Sequence, residues 1–552
     1  MRSLSSTLTS ILLLPFSGCL MGPSFEPPRT DMAQDWSSPI AANVSDGQGD
    51  ITAWWKQFHD PVLDALVETA LVSNRDLGVA EARVREARAF RGIAAADLRP
   101  SGGVSGSYTY EGSPKPPKID KGSPVTLGVS DGPAGTAGSI TIRGDNFTLG
   151  RTFADAGNTT SISLTPGGVD TPDRTQDLFS TGFDARWELD VFGGVRRGIE
   201  AADADMDAAQ DNLHDVQVIL TSEVARNYFE LRGAQARLDI TRQNIAAQQN
   251  TLSITSLRFE AGLTSGLDAR QAQAQLSLTQ SQVPFLEFSI LASIYRLAVL
   301  TGQMPQPLVD QLALAAPLPD MPPIVPVGLP SDLLRRRPDI RRSEHQLHAA
   351  TARIGVAVAD LFPRFSMTGK TGASVSDLAN MNLGDAAFWS FGPSIQFPIF
   401  DRSRIRANIA VQNARQESAL STYEQTVLLA MEDAERSLAS YAKEQARRAA
   451  LEESTLASKQ AVQLANDLYT EGLADFLNVL QAQGSLFVTQ DQLVQSEQRV
   501  SQNLVAIYKA IGGGWPADFG ATRSTVNETT KAPPSALSGA EPSAFAPKQP
   551  SQ

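Results

Sequence analysis

Four histidines, one cysteine and 60 acidic residues are the side chains of this 552-residue chain from which chemistry could be built. His345 and His348 stand at i and i+3 and would share a helix face, which is the beginning of a metal site, but no neighbouring carboxylate pattern completes one. Two solvated histidines are expected there, and His59 and His214 stand apart. Nothing matches a nucleophile elbow or a phosphate-cradling glycine loop, so no catalytic residue, metal site or cofactor is expected and the chain does not read as an enzyme. Two carboxylates are better placed. Asp268 follows Gly262 and Asp475 follows Gly472 closely enough that both are predicted on the first turn of a helix leaving a glycine turn. An acidic side chain there complements the helix macrodipole and caps free N–H groups, which alone could explain it.

Cys19, the only cysteine, carries a different chemistry. Residues 1–18 read as a signal peptide: Arg2 gives a basic end, Ile11 to Phe16 an apolar core, and Ser17-Gly18 are small residues ahead of the thiol. The arrangement resembles the lipobox of bacterial lipoproteins, with Phe16 where leucine is usual. Such a cysteine would be exposed by cleavage, acylated and held at a membrane, making 19–60 a lipidated N-terminal segment. An ordinary signal peptide with a leftover buried cysteine is the alternative.

Composition narrows the class. With 19% charged and 42% hydrophobic residues the chain is too polar for a polytopic helical membrane protein, and no internal run approaches the ~18 consecutive apolar residues of a spanning helix. A net charge of −13 disfavours nucleic acid as a partner, because phosphate binding needs clustered positive charge.

The elements that position these residues come in two copies. Asp76-Leu77 with Ala96-Asp97-Leu98 and Pro100 recurs as Asp339-Ile340 with Ala359-Asp360-Leu361 and Pro363, an offset of 339 − 76 = 263. Gly262-Leu263 with Leu267 and Gln271-Ala272-Gln273 recurs as Gly472-Leu473 with Leu477 and Gln481-Ala482-Gln483, an offset of 472 − 262 = 210. The difference, 263 − 210 = 53 residues, is an insertion in the first half, assigned to a long polar loop over 111–176 with a hairpin around Ile140 to Phe153. The two repeats are expected at 61–302 and 331–512, joined by a proline-rich linker over 303–330 and followed by a disordered tail over 513–552.

Each repeat carries one hairpin of alternating apolar and polar residues, with strands near 101–110 and 181–191 in the first and near 363–371 and 388–400 in the second. Phe183, Ala185, Trp187, Leu189 and Val191 alternate with Asp184, Arg186, Glu188 and Asp190. About ten residues with one apolar face is the pattern of a lipid-facing barrel strand, or of a half-buried strand on a soluble core. Four strands cannot close a transmembrane barrel, whose minimum is about eight, so the strands pack on helices or several chains pool them. Arg196 to Phe259 and Arg402 to Tyr469 contain no proline and keep 3–4 apolar spacing, for example Val224, Tyr228, Leu231, Ala234 and Leu238. Each would extend on the order of 100 Å, more than a compact domain holds, before a glycine turn and a returning helix over Leu267 to Leu300 or Phe476 to Ile511.

Several ordered segments resemble the outer membrane factor family that includes TolC and the NodT-type efflux lipoproteins. They are Gly22-Pro23-Ser24-Phe25-Glu26-Pro27, Trp54-Trp55 with Phe58 and Asp60-Pro61, Trp187-Glu188-Leu189-Asp190-Val191-Phe192-Gly193, Glu223 to Arg232, and Pro398-Ile399-Phe400-Asp401. The resemblance implies a mainly α-helical fold with a β-barrel part: a homotrimer in which each protomer gives four strands to a shared 12-stranded outer-membrane barrel, over a long coiled-coil periplasmic tunnel. It implies a passive channel of a tripartite efflux system exporting small molecules or drugs. The partners would be outer-membrane lipids, a periplasmic membrane-fusion adaptor and an inner-membrane pump, of the RND type rather than ATP-driven.

In that family Gly262, Leu263, Thr264, Gly472 and Leu473 would form the adaptor-binding tip. Threefold symmetry would turn Asp268 and Asp475 into carboxylate rings of the gate, a constriction weakened where Asn478 and Gln481 replace acidic residues of relatives. A type I protein-secretion duct uses the same tube, and a structural coiled-coil lipoprotein without a channel is the reading from another class.

Overall fold

A computed structural model describes residues 20–29, 35–37, 44–45, 50–112, 126–130, 138–144, 147–153, 161–166, 175–319, 325–375 and 387–515. Residues 1–18 and Cys19 therefore lie outside the described residues, as does the tail from 516 onward. The chain forms two units, one of 1–30, 79–213 and 341–426, the other of 31–78, 214–340 and 427–552.

The first unit is built on a four-stranded antiparallel sheet in the order β10-β9-β7-β2, from β2 (Ser101–Gly112), β7 (Thr175–Leu189), β9 (Arg364–Val375) and β10 (Ala387–Gln396). The register sets Val104, Phe183, Thr371 and Trp389 in one cross-strand row and Gly103, Asp184, Lys370 and Ser390 in the next. Because side chains alternate across a pleat, one face collects Val104, Phe183, Trp187, Trp389, Phe391 and Ile395, all exposed within this chain. The other face is joined by hydroxyl pairs, Ser107 Oγ to Ser180 Oγ and Ser366 Oγ to Ser394 Oγ, both at 2.7 Å.

Asp190 and Val191, which continue the alternation in sequence, are not strand. The Asp190 carboxylate instead accepts hydrogen bonds from the backbone N–H of Val195 and Arg196, at 3.1 and 2.9 Å, and so caps the first turn of α3 (Gly194–Glu260). At the same end of the sheet β10 stops at Gln396, four residues short of the expected end, where Pro398 removes a backbone donor.

The interval assigned to a polar loop is not a loop throughout. The expected hairpin is present as β4 (Gly138–Gly144) and β5 (Phe147–Phe153), and β3 (Thr126–Ser130) and β6 (Ser161–Pro166) extend it to a second antiparallel sheet in the order β3-β4-β5-β6. Its register aligns Leu127, Ile142, Leu149 and Leu164 in one row and Thr126, Arg143, Thr148 and Thr165 in the next. Short strands dense in Ser, Thr and Gly hide this period within a composition that otherwise reads as loop.

The second unit centres on aromatic rings. Trp54 stacks on Tyr508 at 5.0 Å and lies edge-on to Phe58, which packs on Phe229. These residues come from the short helix Trp54–Phe58, from α3 and from α10 (Phe476–Ala510). Asp60 ties the cluster to α1 (Pro61–Ser73): its Oδ1 accepts from Val62 and Leu63 N–H, and its Oδ2 accepts from the Tyr228 hydroxyl at 2.6 Å. Burial raises the Tyr228 phenol far above its ordinary range and the Asp60 contact adds to this, against the opposing Arg232 guanidinium. Tyr228 thus stays a neutral donor.

The returning helix of the first repeat is broken into α4 (Gly266–Gln280) and α5 (Val283–Leu300), since Pro284 cannot donate to the preceding turn. Within Gly266–Leu300 a stretch of 18 residues, at a mean hydropathy of 1.6, is long and apolar enough to cross a membrane, and only a third of that stretch is buried in this chain. The linker holds α6 (Pro305–Leu312) and a parallel pairing of β8 (Val325–Pro326) with β1 (Val44–Ser45). The tail begins ordered: Trp515 is buried, stacks on His214 at 4.3 Å and donates from Nε1 to the Arg336 carbonyl. In the second repeat α8 (Pro338–Ala359) precedes the hairpin and α9 (Arg402–Thr470) follows it.

Asp60→Ala removes a helix cap, worth about 1 kcal/mol, and strands the buried Tyr228 hydroxyl, which costs about 1 kcal/mol or more. Tyr228→Phe should cost about 1 kcal/mol. Thermal unfolding of the detergent-solubilised protein should show both losses, and the double variant should fall short of their sum because the two share one bond.

Candidate functional site

The glycine turns are built alike. At the end of α3, Gly262 adopts φ +70°, its N–H donates to the Phe259 carbonyl and the Leu263 N–H donates to the Arg258 carbonyl, at 2.9 and 2.8 Å. At the end of α9, Gly472 adopts φ +76°, with Gly472 N–H to Tyr469 and Leu473 N–H to Leu468 at 3.0 and 2.8 Å. This pair of bonds is a Schellman ending, and the left-handed residue within it favours glycine. A Cβ at either glycine would meet nothing within 4 Å, so backbone conformation alone selects the residue. The leucines that follow are 68% and 71% exposed, which is unusual for a side chain in a Schellman turn, where this position commonly packs back on the helix.

Behind the turns lies a small core of Ala272, Tyr469, Phe476 and Val479, with Leu252, Ala465 and Leu480 packed against it. Arg258 crosses it, its guanidinium 4.8 Å from the Tyr469 ring centroid and its Nη1 donating to the Thr470 carbonyl at 3.3 Å. Sequence reasoning missed Arg258, Tyr469 and Phe476. Their signal was position: two large aromatics flank the second turn, and an arginine stands four residues before the first glycine.

The two carboxylates differ. Asp268 is on the first turn of α4 as expected, but it is engaged: Thr264 Oγ1 donates to its Oδ2 and Ser265 Oγ lies 3.5 Å from its Oδ1, while Ser265 itself caps the Leu267 N–H. Asp475 is not on the first turn but at the N-cap of α10, where its side chain makes no capping bond and stands exposed. Asn478 and Gln481, one and two turns on, are exposed as well. Thr264, placed with the tip, therefore serves Asp268 rather than standing free.

The histidines are not simply solvated. His345 Nε2 lies 3.3 Å from Asp211 and His348 Nε2 lies 3.0 Å from Glu200, each ring half-buried against α3. The carboxylates are separate, and no group of three or more His, Cys, Asp or Glu able to hold a metal occurs among the described residues. His348 also stacks on Phe25 at 4.5 Å. Beside it the buried Arg197 donates to the carbonyls of Met21 and Gly22 and to Glu200, and Gly22, at φ +84°, sits so near Gly355 that a Cβ would approach its Cα to 2.5 Å. Burial pushes the Glu200 carboxyl up, yet the hydrogen bonds from Arg197 and His348 outweigh it and hold Glu200 below the ordinary range. The Gly-Pro-aromatic segment is thus a clasp on the first unit, and Met21 N–H reaches the Phe192 carbonyl just past β7.

These arrangements bind backbone, expose apolar surface and hold no reacting set. The protein-family model described as "Outer membrane efflux protein" matches residues 146–303 and 329–513, more than half of the chain. The solvent efflux pump outer membrane protein SrpC of Pseudomonas putida is 31% identical over 92% of this chain and 98% of its own length. Nodulation protein T of Rhizobium leguminosarum bv. viciae is 30% identical over 92% and 93%. Among solved structures the outer-membrane channel OprN superposes with a TM-score of 0.76 at 34% identity, over 90% of this chain and 100% of that one. CusC gives 0.73 at 26% identity, over 90% and 100%. Four antiparallel strands and paired long helices in one TolC-like fold, matched over nine-tenths of the chain by such channels, place the function: this chain belongs to the outer membrane efflux protein family and is an outer-membrane channel of efflux pumps rather than an enzyme.

Proposed function

We propose that three copies of this chain close a 12-stranded barrel and form a passive duct, anchored by lipid at Cys19, that receives small molecules from an inner-membrane pump through a periplasmic adaptor. The observation that carries this reading is the sheet β10-β9-β7-β2, whose two edge strands have no further partner among the described residues and which has an apolar exposed face. Hydrocarbon cannot satisfy open backbone donors and acceptors, so such a sheet spans a membrane only when closed. All neighbours are antiparallel, so the two edge strands run in opposite directions and β2 of one copy can pair with β10 of the next. The exposed Phe285, Phe288, Tyr295 and Val299 of α5 are surface that packing between copies would cover. Single-channel recording on the purified trimer tests the duct; a folded trimer that conducts no ions would overturn it.

The adaptor would dock at the two glycine turns, six in the trimer, through Leu263 and Leu473. Asp475, free of capping duty and repeated threefold, would contribute a cation-favouring ring at the narrow end, with Asn478 and Gln481 leaving it less acidic and Asp268 occupied in its own turn. The anchor has support in the clasp: Met21, two residues from Cys19, is held at Phe192 where the strand ends, which is where acyl chains could enter the same membrane as the barrel.

Leu263→Asp with Leu473→Asp should leave folding and trimer formation intact, since both side chains are exposed, and should abolish crosslinking to the adaptor and export. Normal export by this variant would mean that the adaptor grips elsewhere. Cys19→Ser should lose labelled palmitate yet leave some trimer in the outer membrane, because the barrel supplies its own apolar band; label retained by the variant would place the lipid on another residue.

A further inference from the structure

The second sheet, β3-β4-β5-β6, lies wholly within the insertion of the first repeat and hangs from the first sheet by the β2–β7 hairpin. That hairpin runs on from Phe179, its last partner on β9, to the pair Gly112 and Thr175, at the opposite end from Ser101 and Leu189 where the helices join. Successive residues of a strand alternate between faces, so the register sorts the second sheet. One face holds nine large apolar residues, with Leu127, Ile142, Leu149 and Leu164 in one row and Phe147 and Phe153 at the two ends of β5. The other face holds only Ser, Thr, Gly and Arg143. A single layer with an apolar face has no core until a second layer covers it. The connections of the insertion, 113–125, 131–137, 145–146, 154–160 and 167–174, contain only Ile119, Val125 and Val169 as large apolar residues, too few to cover nine. Lipid is a poor cover too. Strands of five to seven residues reach about 17–23 Å, short of the ~30 Å of hydrocarbon, and β3 and β6 have no further partner among the described residues to satisfy their outer edges there. A face four strands wide and about six residues long covers on the order of 400 Å², as much apolar surface as a soluble monomer leaves open. Three such faces amount to about 1,200 Å², where stable interfaces begin.

We propose that the second sheets of the three copies pack on one another by these apolar faces, giving the trimer a shared core beyond the outer mouth of the barrel. The proposal rests on the trimeric reading above and adds a contact to it. Each copy brings the same face to the same place, on a hairpin whose strand β2 is the edge that meets β10 of the next copy, so the second contact forms at high local concentration. Joining β3 of one copy to β6 of the next would pair the edges and leave the apolar face open, so face packing is the arrangement that covers it. The hydroxyl face then meets water. Arg151 is the one charge on the apolar face, and it stands in the row next to the end of the sheet, where a long stem can carry its head to solvent. The hairpin extends four residues past its last pair with β9, about 13 Å, which holds the shared core off the barrel and lets cargo leave between the three stems.

The test uses the purified full-length trimer in detergent, with the photoreactive residue p-benzoylphenylalanine in place of Leu149 on the apolar face or of Thr148 on the hydroxyl face. After irradiation and a denaturing gel, position 149 should give covalent dimer and trimer and position 148 none above background. A second measurement reads strength: Ile142→Asp with Leu149→Asp should lower the temperature at which the trimer dissociates by roughly 10 °C, while Thr141→Asp with Thr148→Asp should leave it unchanged. An intact trimer in which position 149 links only within its own chain or to lipid or detergent would overturn the packing, as would equal linking from both positions or equal dissociation temperatures of the two aspartate variants. A parent chain that folds and never forms trimers would overturn the trimeric reading along with it, so the two failures are told apart by the parent alone.

Discussion

A sheet with two open edges cannot stand in hydrocarbon, and much else in this chain follows from that constraint. Each unpaired N–H or C=O at β2 or β10 would cost several kcal/mol in lipid, so the edges demand partners that the described residues of one copy do not supply. The apolar face that lipid rewards is the one that would make the isolated chain aggregate, with Trp389, Phe391 and Ile395 in the open. Closure by further copies, as proposed above, would answer both problems at once. The exposed apolar residues of the sheet face and of α5 come in addition to the buried aromatic core around Trp54.

The duplicated plan lets the two halves be compared as one experiment on the same architecture. Both turns use a Schellman ending and both expose the following leucine, although the residues around them differ. In the first, Thr264 and Ser265 absorb the carboxylate of Asp268, and Pro284, four residues beyond the end of α4, breaks the return into α4 and α5. In the second, Asp475 stands without a hydroxyl neighbour to engage it and α10 runs unbroken for 35 residues. The same backbone solution therefore presents a satisfied acid in one repeat and an available one in the other.

Most of the architecture was legible in the sequence because its periods are long and its endings conventional. Helices of 67 and 69 residues keep one apolar spacing over many turns, and a strand such as Phe183 to Leu189 alternates without exception. What escaped was set by contacts distant in sequence. The four strands of the insertion are five to seven residues each among Gly, Ser and Thr, so their period is visible only once the register pairs them. The strand end at Leu189 depends on Asp190 turning to cap α3, a choice that the alternating pattern cannot distinguish from one more strand position. The histidines looked solvated because Glu200 and Asp211, which they meet, lie more than a hundred residues away. Of the candidate site, the glycines and leucines were readable from the repeat, whereas the roles of Arg258 and Tyr469 required the packing of three helices.

The two regions of the second unit are held with unequal strength, and the difference bears on which of them can move. Around Trp54, stacked and edge-on rings combine with the Asp60–Tyr228–Arg232 hydrogen bonds and the fully buried Leu63, Val224, Leu231 and Leu504. At the turns Ala272, Tyr469, Phe476 and Val479 form a small buried cluster, and Gln248 Oε1 and the Tyr469 hydroxyl find no hydrogen-bond partner among the described residues. Local opening draws on regions with few buried apolar contacts, because there the free energy of separation is a small fraction of the whole. In the proposed duct a change that admits cargo would be driven by the binding of a partner, and binding can shift an equilibrium only by its difference in affinity between the two states. The sparse packing at the turns would keep the required difference small, while the aromatic cluster would keep the rest of the unit fixed.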